Sequence, residues 1–256
     1  MRPRSIASVS IRAFCLFVLS AAASAQTAPK EPPPLWDVQA GASFVGTSGN
    51  SDTTTVGADF ATHHRGRVWQ FESTATAVRS TADSVKTAER YLGQARGKRD
   101  LSSIVGLTAG AKLERDRFSG IDFRSLADGG LSWHLVRMPA WTLDGVTAVG
   151  WDHEKLSTVA DVDDPTGVLQ LQSRIPFGAG ADTTQRITFY PDLKASDASR
   201  AEGEVTAQAA MSAHLALKLG YLVRYSHTPV PGFKKTDNTT TASIVLRFRS
   251  DKPAPR

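Results

Sequence analysis

From Leu35 to Arg249 the chain repeats with a period of two residues, and no stretch shows the 3.6-residue period of an amphipathic helix. Trp36, Val38, Ala40, Ala42 and Phe44 fall on one face of the first segment, with Asp37, Gln39, Gly41 and Ser43 on the other. The same alternation sets Val105, Leu107, Ala109, Ala111 and Leu113 against Gly106, Thr108, Gly110, Lys112 and Glu114, and recurs over Leu169–Phe177 and Leu215–Tyr225. A last segment sets Ala242, Ile244, Leu246 and Phe248 against Thr241, Ser243, Val245 and Arg247. Weaker runs cover roughly 53–63, 67–79, 86–99, 122–136, 140–154, 184–193 and 202–213, which makes twelve predicted strands. Tight connections fall at Arg65-Gly66, Asp100-Leu101, Met138-Pro139, Asp182-Thr183 and Ala213-His214. Longer polar ones fall at Ser80–Val85, Arg117–Ile121, Lys155–Thr166, Ala195–Arg200 and Thr228–Asn238, with Ser48–Asp52 the shortest. An even strand number with alternating short and long connections predicts an all-β fold, a closed antiparallel transmembrane β-barrel of about 12 strands.

A soluble β-sandwich or lipocalin-like barrel alternates too, with its apolar face inward. The aromatic residues give the direction. With the N-terminus in the periplasm, Trp36, Trp69, Trp133 and Trp141 lie at the periplasmic ends of their strands, and Tyr91, Phe123, Trp151 and Tyr225 near the other ends. Two aromatic rims separated by Ala, Leu and Val match the interfacial girdles of a barrel in lipid.

Composition agrees. Mean hydropathy is −0.23, and no segment after the N-terminal region offers the ~20 apolar residues of a spanning helix. Residues 1–25 read as a signal peptide: Arg2, Arg4 and Arg12, the apolar run Ala13–Ala22, and Ala23-Ser24-Ala25 before Gln26. Residues 26–34 are a Pro-rich periplasmic leader, 35–249 the barrel and 250–256 a short tail. The single cysteine, Cys15, lies inside the signal, so the expected mature chain has no disulfide or thiolate chemistry. The signal also removes three of 30 basic residues and no acid, leaving 27 against 25 acids. That near-balance, with no basic run interleaved with aromatics, argues against nucleic acid as a partner.

The densest polar cluster runs from Glu114 to Arg124, in which Glu114, Asp116, Asp122 and Arg124 point inward at the top of a hairpin. Together with Arg90 these form a candidate lumen and mouth charge network, either a constriction or a set of structural ion pairs. Further inward charges include Asp59, Glu72, Arg96, Lys98, Lys112, Asp128, Asp144, Asp152, Glu154, Arg174, Arg186, Asp192, Glu204, Lys218, Arg224 and Arg247, with the signs nearly balanced. Such balance predicts a filled or narrow interior rather than a strongly ion-selective pore. Catalytic signals are weak. Ser132, His134 and Asp128 share one strand face, but same-face neighbours are about 6.5 Å apart at the backbone. A nucleophile and its base need direct hydrogen bonds. His63 and His64 precede a turn, and Asp161, Asp163 and Asp164 crowd a loop without the spacing of a calcium site. No cofactor, metal site or catalytic residue is predicted. The alternatives are an outer-membrane lipid-modifying hydrolase and a soluble periplasmic β-protein.

Three segments carry a family resemblance: Thr87–Tyr91, Glu114–Gly120, and Pro229–Asp237 with its following Thr-rich strand. With the turn Thr47–Asp52, they resemble the salt-induced outer-membrane protein family of the YdiY type, a domain family of unknown function. Where similar sequences tend to carry Tyr after Phe-x-Gly, this chain has Ile121 and Phe123. The resemblance implies a cell outer-membrane barrel associated with salt or envelope stress, and the expected role is non-enzymatic, structural or a narrow channel. Its expected partners are outer-membrane lipid and the barrel-assembly machinery, the latter reading a terminal aromatic such as Phe248. It names no solute.

Overall fold

The computed structural model describes residues 35–47, 53–82, 85–157, 159–177, 180–195 and 198–250. The signal peptide, the leader, the Ser48–Asp52 turn and all of the tail after Ser250 lie outside the described residues. Twelve antiparallel strands are found among those described: β1 Trp36–Thr47, β2 Thr53–Arg65, β3 Trp69–Ala82, β4 Val85–Asp100, β5 Val105–Asp116 and β6 Ile121–Met138. The rest are β7 Trp141–Leu156, β8 Val162–Phe177, β9 Ala181–Tyr190, β10 Arg200–Ala210, β11 Leu215–Ser226 and β12 Thr236–Arg249. A 3-10 turn, Arg117–Ser119, tops the β5–β6 hairpin. Each strand pairs with its sequence neighbours, and β1 closes on β12 from Asp37↔Arg249 to Ala42↔Ile244. Closure satisfies the edges that an open sheet of this length would leave unpaired.

The apolar face points out. Leu107, Leu113, Val149, Leu169, Leu171, Ile187, Leu217, Leu219, Ile244 and Leu246 are exposed on the outer wall. Trp36, Trp69 and Phe248 are exposed toward one end, and Phe44, Tyr91, Phe123, Trp151 and Tyr225 toward the other. This is the arrangement of a transmembrane barrel, in which lipid replaces the core that a soluble sheet would bury. The Trp133 indole donates to Thr147 Oγ1 at 2.9 Å and that of Trp141 to Ser173 Oγ at 3.0 Å, so the N–H of each is paired while its ring stays on the wall.

Strand boundaries from β7 to β10 differ from the sequence pattern. The connection expected over Lys155–Thr166 is mostly strand, with β7 reaching Leu156 and β8 starting at Val162. Two of its acids are held by neighbouring segments: His153 Nδ1 lies 2.8 Å from Asp163 Oδ1, and Lys194 donates to Asp164 at 2.7 Å. The turn expected at Asp182-Thr183 lies earlier, between Phe177 and Ala181, where Gly180 takes φ +104. With it β9 moves from the expected 184–193 to Ala181–Tyr190, and β10 from 202–213 to Arg200–Ala210.

The interior is not uniformly polar. Leu126, Val146, Ala148, Val168 and Tyr190, from the inward faces of β6 to β9, form a buried apolar cluster. Val245 and Ala216 are likewise buried on the inner wall of β12 and β11. The lumen is therefore partly filled by packing.

Candidate functional site

In the closed order β5 and β11 stand opposite each other, six strands apart either way round. Twelve strands about 4.8 Å apart and tilted about 40° enclose a circular section roughly 24 Å across. An arginine and a glutamate laid end to end fall well short of that. Yet Arg224 on β11 donates to Glu114 Oε1 at 2.9 Å and to Asp116 Oδ2 at 2.6 Å, both on β5. The barrel is therefore pinched along this direction at its outer half.

Glu114 is the hub. Arg90 on β4 donates to it through Nε at 3.1 Å and Nη2 at 2.9 Å, and Arg124 on β6 lies 3.5 Å from its other oxygen. Arg124 also donates to Glu154 at 2.7 Å, and Arg200 on β10 bridges to both Glu154 and Asp152 on β7. A second crossing lies beside it. Lys112 on β5 donates to Glu202 on β10 at 2.6 Å, with its ammonium 4.9 Å from the Tyr190 ring centroid. The Arg200 guanidinium lies 5.4 Å from the same centroid, and the Tyr190 hydroxyl donates to Glu202 at 3.3 Å. Glu114, Asp116 and Asp152 are buried, and charges removed from water in this way are stable only when paired.

Of the residues singled out in the sequence, Arg90, Glu114, Asp116 and Arg124 come together. Asp122 does not. Register shifts on both sides of the start of β6 place a bulge there, and Asp122 is exposed with no ion pair. Arg200, Glu202, Tyr190 and Asp237 join the network although none was singled out. Arg200 and Asp237 sat in expected loops, and Glu202 lies outside the clear alternation. The signal that could find them, proximity across the lumen, is not written in strand periodicity.

The mouth is covered above this lattice. The connection from His227 to Lys235, between β11 and β12, crosses to the β5–β6 hairpin. Ser119 Oγ donates to Asp237 Oδ2 at 3.0 Å, and Val230 is buried. Gly120, at φ +76, sits so close that a Cβ there would be 2.7 Å from Phe233 Cε2 and 2.9 Å from Val230 Cγ1. Ser157 N donates to Gly120 O at 3.1 Å and His227 N to Ser199 O at 3.1 Å, so four external connections are tied together. In the connection after β9, the hydrogen bond to Asp164 holds the Lys194 ammonium above the ordinary lysine range. The segments that carry the family resemblance are the ones that meet here: Arg90, the 114–120 hairpin and the 229–237 connection.

Below the lattice lies a cavity of about 70 Å³ lined by Glu72, Arg96, Lys112, Asp128, Gln170 and Arg186 among others. A water needs some 10–15 Å³ on this measure, so the cavity holds a few waters and nothing as large as a sugar. Arg96 grips Asp128 through two bonds of 2.8 Å each, across Gly110 on the intervening strand. A Cβ on Gly110 would lie 2.5 Å from Arg96 Nη2, so the glycine makes room for the pair.

The Ser132–His134–Asp128 reading does not assemble. His134 uses Nδ1 on Asp144 at 2.7 Å and Nε2 on Asp100 at 2.9 Å, while Asp128 is held by Arg96. Both ring nitrogens are taken by carboxylates, and the buried Ser132 hydroxyl has no hydrogen-bond partner among the described residues. His63 lies 3.9 Å from Glu72 on the inner wall. Asp161, Asp163 and Asp164 do not gather, and the described residues contain no group of three or more His, Cys, Asp or Glu placed to hold a metal.

No curated protein matches the sequence significantly. In structure the chain is similar to an outer-membrane channel from Pseudomonas putida F1 (14% identity, TM-score 0.48, covering 85% of this chain and 95% of that one). It is also similar to the NanC porin (12%, 0.47, 83% and 97%). A third is the translocator domain of the autotransporter NalP from Neisseria meningitidis (13%, 0.45, 86% and 90%). Residues 39–248, which run from the first strand into the last, match the family described as "Protein of unknown function, DUF481", and the chain belongs to that family.

Proposed function

We propose that this protein is an outer-membrane β-barrel held closed at its external half, acting as a structural barrel or as a narrow path for water and small ions under salt or envelope stress. The observation that carries the reading is the pair of cross-lumen ties, Arg224 to Glu114 and Asp116, and Lys112 to Glu202. They join opposite walls where an open pore would have water. The apolar outer wall supports the membrane placement, since lipid is the solvent that such a surface fits. Outer-membrane lipid and, during assembly, the machinery that reads the Phe248 end are its partners in this reading.

Three experiments test it. Fractionation recovers the protein with outer membranes, and recovery in the soluble periplasm without detergent contradicts the placement. Proteoliposomes carrying the refolded protein do not swell in a pentose faster than empty ones, and swelling at the rate of an open porin contradicts closure. Protein level rises after a shift to high salt, and an unchanged level removes the stress association.

A further inference from the structure

The lumen pairs its charges, but the outer wall at the external rim leaves Arg79 and Arg115, like Lys155 on β7, without ion-pair partners among the described residues. Arg79 on β3 and Arg115 on β5 are exposed and flank Tyr91, which pairs in register with Ala77 on one side and Arg115 on the other. Glu89, in register with Arg79, is engaged by Lys86 at 3.4 Å and by the Tyr91 hydroxyl at 3.4 Å. Among the described residues neither arginine makes an ion pair or a side-chain hydrogen bond, and Arg117 on the 3-10 turn adds a third exposed cation beside them.

The clustering is one-sided. From β8 round to β1 the corresponding outward positions are Pro165, Phe189, Ala201, Tyr225, Asn238 and Phe44, with no Lys or Arg there among the described residues. Arg79 itself sits in a trough of about 500 Å³ on the wall, which runs from Thr54 and Thr81 at the rim down to Val56, Ala58, Ala77 and Tyr91. Further down β4 the outer wall is also uncrowded, since a Cβ on Gly93 or Gly97 would meet nothing within 4 Å. An apolar trough running down from unpaired guanidiniums at the aromatic rim matches a lipid with acyl chains below and phosphate above. Arginine is suited to such a phosphate because it offers two parallel donors.

We propose that the outward face of β2–β5 docks a phosphorylated glycolipid of the outer leaflet, with its phosphates on Arg79 and Arg115 and an acyl chain in the trough. This rests on the outer-membrane reading. The test uses the full refolded barrel in phosphatidylcholine nanodiscs doped with bis-phosphorylated lipid A, dephosphorylated lipid A or phosphatidylglycerol, with lipid retention read by native mass spectrometry. Wild type retains the bis-phosphorylated lipid selectively. The double variant Arg79→Gln with Arg115→Gln retains it about tenfold less, as expected for losing charge-assisted pairs. Arg67→Gln with Arg137→Gln, at the opposite end, leaves retention unchanged. Ala77→Leu fills the trough without touching the charges, and it lowers retention of the bis-phosphorylated lipid. Equal retention of phosphorylated and dephosphorylated lipid overturns the proposal, as does phosphatidylglycerol bound equally well or an unaffected double variant. Those results leave the membrane placement standing, whereas recovery of the protein in the soluble periplasm removes the placement itself.

Discussion

Glu114 receives Arg90 and Arg224 and lies beside Arg124, so its neutralisation takes one buried carboxylate from three guanidiniums, leaving Arg224 on Asp116 and Arg124 on Glu154. Breaking a buried pair from one side costs about 3–5 kcal/mol. Glu114→Gln should therefore lower the unfolding free energy of the refolded barrel, read by urea titration, by up to that order. Asp122→Asn, eight residues on and equally prominent in the sequence, should stay within about 0.5 kcal/mol of wild type, because the bulge leaves Asp122 without an ion pair. If both variants fall alike, the lattice does not end where the geometry places it. Ser132 makes a different contrast. Its hydroxyl is buried without a partner, so Ser132→Ala should be neutral or stabilising by up to about 1 kcal/mol. A clear loss of stability, or of any lipase activity found, would restore the residue to consideration as a functional group.

At the scale of elements, Gly120 couples the β5–β6 hairpin to the His227–Lys235 connection. A side chain there meets both a positive φ and the Phe233 ring, so Gly120→Ala should destabilise by about 1–3 kcal/mol. The effect should be local, read as faster tryptic cleavage at Lys234 or Lys235 while the strands stay resistant. Unchanged cleavage would mean the connection does not rest on the hairpin. The strands themselves were legible because lipid on one side and a packed lumen on the other enforce the period of two at nearly every position. Legibility ended where that enforcement relaxed. Val162, Asp163 and Asp164 read as loop because their acids satisfy partners on neighbouring segments rather than a face rule. The turn before β9 was misplaced because Gly180, not the polar Asp182-Thr183 pair, supplies the required backbone. The mouth network was legible in part, since Arg90, Glu114, Asp116 and Arg124 lie on adjacent strands. Arg200, Glu202 and Arg224 belong to it through strands three to six places away, and alternation does not say which walls approach.

For the whole molecule, the outer wall and the lumen answer to different solvents. Outside, exposed Leu, Ile and Val match lipid. Inside, an apolar cluster and a near-balanced lattice fill part of the lumen, with room for a few waters below. In the proposed reading such a barrel is nearly silent, and its path opens only when the ties between opposite walls are lost. The most direct test is planar-bilayer recording of wild type beside the double variant Lys112→Ser with Arg224→Ser, which cuts both crossings. Wild type should show no steps, or steps far smaller than those of an open porin, and the double variant should show larger, frequent ones. Large, steady steps from wild type, or no change when both crossings are cut, would contradict a lumen bridged shut by these residues.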